Sequence, residues 1–173
     1  MESRFRIAGH PAHPMLVMFP TALLPLLILL DVLHLWTGDA GAWTVGFWVA
    51  LAGLVMTALA IVPGIVDMAA IPNETRAHRT ALFHFVVGMT ILATYAAAVW
   101  VRWPAGSAPD RFGLAFAVDI IGTLLVTAQG WLGAELVYRH HVGVKTVAEG
   151  GDPVALAAKG DDAAREKRVR RPS

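Results

Sequence analysis

The stretch MLVMFPTALLPLLILLDVLHLW, Met15 to Trp36, decides the architecture. Crossing a bilayer as a helix takes about 20 mostly apolar residues, and this run meets that length while carrying Asp31 and His34 near its far end. It is longer than the core of a secretory signal and more polar at one end. It therefore reads as a span, although Arg4 and Arg6 precede it and Ala40-Gly41-Ala42 resembles a cleavage site.

Three further runs of the same kind follow, at about 43–69, 81–103 and 112–138. The expected fold is all-α: a four-helix transmembrane bundle threaded up-down-up-down over residues 1–141. Residues 142–173 form a polar, basic C-terminal tail, either flexible or a short surface helix with an Ala-rich face. No segment reads as a strand. Pro20, Pro25 and Pro63 fall inside spans and invite kinks. Gly53, Gly88, Gly122, Gly130, Gly133 and Ala134 suit close helix packing, which in lipid relies on small residues.

Composition agrees. The 173 residues are 56% hydrophobic with a mean hydropathy of +0.57, far from a soluble balance. A net charge of +1 lacks the cationic excess needed to displace counterions from phosphates, so nucleic acid is not an expected partner. Without cysteine the chain itself supplies no disulfide, thiolate nucleophile, iron-sulfur cluster or Cys-ligated zinc. Any metal would rest on His, carboxylate or Met.

Basic loop residues set the orientation. Arg4, Arg6, Arg76, Arg79, Arg139 and Lys145, together with the basic tail, fall on one side, and only Arg102 and Arg111 on the other. Both termini are thus expected in the cytoplasm, with Trp36, Trp43, Trp48, Trp100 and Trp103 forming an aromatic belt at the opposite interface. Antiparallel threading then gathers His10, His13, His78, His84, His140 and His141 at the cytoplasmic face, joined by Asp67 and Glu135. His34 alone lies on the other side.

Each of these residues has a plainer reading. His10 and His13 shape a Pro-stiffened helix entry, His140 and His141 cap the end of helix four, and Glu135 pairs with Arg139 at i,i+4. Asp67 and His78 are solvated. His84 differs, because it lies a turn inside a span among Leu82, Phe83, Phe85, Val86 and Val87, and an ionisable group there is a functional candidate. Gly88, one turn deeper, leaves room beside its ring for something flat. On the far side Asp31, His34 and Asp119 are expected to form a hydrogen-bond cluster linking helices one and four, in preference to a proton path.

The sequence resembles the uncharacterised bacterial four-helix membrane proteins called domain of unknown function 2231, over about residues 9–144. Three stretches carry the resemblance: Gly9-His10-Pro11-Ala12-His13-Pro14-Met15-Leu16, Pro63-Gly64-Ile65-Val66-Asp67, and the run from Gly130 to His140. It nominates His10, His13, Asp67, His84, Glu135 and His140. Members of that family also occur fused to Rieske iron-sulfur domains, which implies redox company.

The leading expectation is a membrane electron-transfer subunit of the bacterial inner membrane that binds b-type haem. His84 would be one axial ligand, and His13, His10 or His140 the other, with Arg4, Arg6, Arg76 or Arg79 toward the propionates. A second expectation is a divalent metal held by His13, His84, Asp67 and Glu135, with copper drawing on Met15 and Met18. A third is a non-catalytic accessory subunit of a larger membrane complex. No nucleophile-base pair or phosphate loop points to an enzyme, and a midplane read as dry, with no internal repeat, argues against transport. Lipid is the one certain partner.

Overall fold

The computed structural model describes residues 2–103 and 111–144. The basic tail predicted beyond 144 lies outside them.

Four helices are present: α1 (Ala12–Thr37), α2 (Ala40–Met68), α3 (Arg76–Val101) and α4 (Phe112–Ala134), the last continuing into a wider π turn, Glu135–Arg139. Each is long and apolar enough to cross a membrane. At 1.5 Å per residue the 26-residue helices reach about 39 Å, beyond a hydrocarbon core of about 30 Å. α1, α2 and α3 start earlier than the apolar runs suggested, whereas α4 starts where expected; at α2 and α3 side-chain capping sets the start. Asp39 accepts from the Gly41 amide at the start of α2, and Thr75 accepts from the His78 amide at the start of α3. Pro14 sits within the first turn of α1, where a missing N–H is harmless.

Each helix packs on its chain neighbours, and α4 closes back onto α1. The centre is a cluster of Leu24, Leu27, Ala50, Ile91, Tyr95, Ala98 and Val126. Tyr95 is fully buried and donates its hydroxyl to the Pro20 carbonyl at 2.8 Å. Its ring fits only because residue 53 is glycine: a Cβ there would overlap it. Large apolar side chains such as Leu29, Leu35, Phe83 and Leu124 point outward, each about two-thirds exposed. A water-facing bundle would bury them; a lipid-facing one solvates them.

One expectation needs correction. Among the described residues there is a short antiparallel pairing, β1 (Arg6–Ile7) with β2 (His10–Pro11). Ala8 and Gly9 make the turn, both at positive φ, as a two-residue hairpin requires. Two residues per strand are too few for a period-two pattern to register in the sequence.

Candidate functional site

At the face where the described N-terminal segment meets the end of α4, the bundle holds a cavity of about 350 Å³. His13 and His84 line it, with Asp67, Gln129 and a mostly apolar remainder. Such a cavity, with few converging polar groups, is the usual form of a ligand site.

His13 comes from α1 and His84 from α3, helices at opposite corners of the bundle, and their ring centres are 6.0 Å apart at an interplanar angle of 72°. Glycines on the facing helices admit both rings. A Cβ at residue 64 would lie 3.0 Å from the His13 ring, one at residue 133 3.3 Å from His84, and one at residue 88 3.2 Å from the Gln129 amide nitrogen. The space beside Gly88, expected to be open to a flat ligand, is thus where Gln129 reaches across from α4.

The hydrogen bonds fix how the imidazoles present themselves. His13 Nδ1 donates to the Ala60 carbonyl at 2.8 Å, which leaves Nε2 as a lone pair. A backbone carbonyl on one ring nitrogen is how metal-binding histidines are commonly oriented. His84 Nε2 lies 3.0 Å from the Gln129 amide nitrogen. Turning that amide over reverses the roles, so that Oε1 accepts from Nε2–H and Nδ1 becomes a bare lone pair. In either arrangement His84 Nδ1 is buried with no partner, and in the first of them Gln129 Oε1 is unpaired as well. Buried polar atoms left unpaired are rare and point to a water or an ion beside them.

The other nominated residues disperse. His10 is exposed in the hairpin, with Nδ1 against the Ala8 carbonyl. His140 stands 3.5 Å from the Thr80 hydroxyl, and Glu135 pairs with Arg139 at 2.9 Å. Arg4, Arg6, Arg76 and Arg79 are exposed, and Arg6 pairs with Glu2. None of these seven nominated residues lines the cavity.

Asp67 is not simply solvated. Its Oδ1 accepts from the amides of Arg4 at 2.7 Å and Phe5 at 3.3 Å, and the Ser3 hydroxyl lies 2.9 and 2.8 Å from its two oxygens. The carboxylate therefore clamps the N-terminal segment against the end of α2, beside the cavity that Ser3 helps to line. Hydrogen bonds to a charged acceptor contribute about 1.5–3 kcal/mol. Asp67→Ala should accordingly speed amide hydrogen exchange at Arg4 and Phe5 by roughly tenfold or more, with the helices unaffected. Unchanged exchange would show that the clamp contributes nothing.

The opposite end holds a second cluster, and here the sequence reading missed a member. Arg102, counted there as a loop charge, is 1% exposed. Its Nη2 lies 2.8 and 2.9 Å from the two Asp31 oxygens and 2.5 Å from Asp119 Oδ2. The guanidinium also sits 5.2 Å from the Trp43 ring centre. The expected α1–α4 cluster thus exists with a third helix at its centre. His34 stands beside it, its Nδ1 on the Asp39 carbonyl and its ring against Trp43 and Phe112. Two acids buried within spans require a cation, and that need was the available signal.

Among the described residues no group of three or more His or carboxylate side chains is placed to hold a metal ion. No curated protein and no solved structure matches the chain. One comparison does succeed: the profile of the family described as predicted membrane protein (DUF2231) matches residues 9–146, most of the chain including all four helices, and the chain belongs to that family.

Proposed function

We propose that the chain is an electron-transfer subunit of the bacterial inner membrane, with both termini in the cytoplasm, that holds b-type haem through His13 and His84. The observation that carries this reading is the pairing itself, two imidazoles from diagonal helices with centres 6.0 Å apart. Metal-to-nitrogen bonds of about 2.0–2.1 Å place two rings on one metal at roughly that separation. The fixed His13 tautomer and, with the Gln129 amide turned to accept from Nε2–H, the unpaired His84 Nδ1 supply the two lone pairs. His10, His140, Arg76 and Arg79 stand apart from this cavity and take no part in the proposal.

A second reading keeps the ligands and replaces haem with a divalent ion. It is favoured by the free atom of His84 being Nδ1, which metals accept as readily as Nε2. Asp67 and Glu135 are already engaged elsewhere and drop out.

Absorption spectroscopy and metal analysis of the purified full chain, expressed with ample haem, test both readings. The expected result is a Soret band that disappears in His13→Ala and in His84→Ala. Stoichiometric metal without a Soret band selects the second reading. A colourless, metal-free wild type overturns both and leaves the imidazoles as packing groups of an accessory subunit.

A further inference from the structure

The cluster at the opposite end does not balance electrically. Asp31 on α1 and Asp119 on α4 share one guanidinium, that of Arg102 at the end of α3, so two ionised carboxylates would leave a net charge of −1. All three side chains are at most 1% exposed. An uncompensated charge in such a place costs several kcal/mol even after relaxation.

Among the described residues the surroundings offer no second cation. From α1 come Asp31 and His34, whose Nδ1 is engaged by the Asp39 carbonyl. From α2 come Trp43, stacked under the guanidinium, and Gly46, whose missing side chain admits Arg102. From α3 comes Arg102, and from α4 Asp119. Arg111, the other nearby base, lies over Trp100.

Two further observations concern the carboxyls. Asp31 Oδ1 and Asp119 Oδ2 both sit on the same guanidinium nitrogen, Arg102 Nη2, at 2.8 and 2.5 Å, and two acids held so close favour a proton on one of them, as in paired-carboxylate sites generally. Asp119 Oδ1 is buried and has no donor, which costs a charged carboxylate far more than a protonated acid.

We infer that Asp31, Asp119 and Arg102 form a proton-binding site in which the two carboxyls share one proton and the triad is neutral. Binding forms one O–H bond and breaks none within the protein; release returns the proton to water at the adjacent face. The site is separate from the histidine cavity and does not depend on any cofactor there.

Infrared spectroscopy of the full chain in lipid nanodiscs tests it. The wild type should show, at neutral pH, the carbonyl stretch of a protonated carboxylic acid, shifted in D2O and absent from Asp119→Asn or Asp31→Asn. Asp119→Asn should also melt within about 4 °C of wild type, because its amide supplies the hydrogen that the acid carried. A wild-type spectrum without that band overturns the inference, as does a band that survives in both variants. Should Asp119→Asn fail to fold, the wild-type spectrum and Asp31→Asn decide.

Discussion

Arg102→Met is expected to be the most damaging single substitution in the chain. Methionine keeps much of the length and apolar stem of arginine, so the change isolates the guanidinium. Its loss leaves Asp31 and Asp119 facing one another without their cation, and breaking a buried ion pair by removing one partner costs about 3–5 kcal/mol. Against a typical total of about 5–15 kcal/mol, that removes a large share of the stability. Arg102→Lys keeps the charge but not the planar fork, and should fall between the two. Thermal melting of the purified proteins checks the order; a methionine variant as stable as wild type would mean that the triad contributes nothing to the fold.

Gly53→Ala should be the next most severe, against the direction that helix propensity alone gives. Alanine is favoured over glycine within a helix by about 1 kcal/mol, so an open site would gain stability. At residue 53 the added methyl overlaps the buried Tyr95 ring, and overpacking of a filled core costs about 1–3 kcal/mol or more. The ring cannot retreat without giving up its bond to Pro20. Packing therefore wins, with a net loss of about 2 kcal/mol. Gly130 supplies the control, since a Cβ there meets nothing within 4 Å and Gly130→Ala should be neutral or stabilising. If both variants behave alike in melting, close approach at Tyr95 is not what limits position 53.

The four spans were legible because spanning length and apolarity are local properties of the sequence, readable without knowing any contact. The same reading brought His13 and His84 to one end, since antiparallel threading follows from span number alone. What it missed depends on pairing across the bundle. Arg102 follows an apolar run and precedes a Pro- and Gly-rich segment, the position of an ordinary loop charge, and only its contact with two helices makes it a core residue. Gln129 is one amide in an apolar run, and its importance appears only when His84 stands beside it. Asp67 finds its donors 62 to 64 positions earlier in the chain, and no spacing rule connects them. The hairpin at residues 6–11 rests on two positive-φ residues rather than on any alternation.

The two ends of the bundle are fastened differently. At one, three helices are riveted by a dehydrated ionic knot; at the other, imidazoles rest in glycine notches around a cavity. Mechanically the molecule is a peg with a fixed spring and free jaws: disturbance from heat, detergent or an arriving ligand should part the helices first where the histidines stand, while the far end keeps them in register to close again.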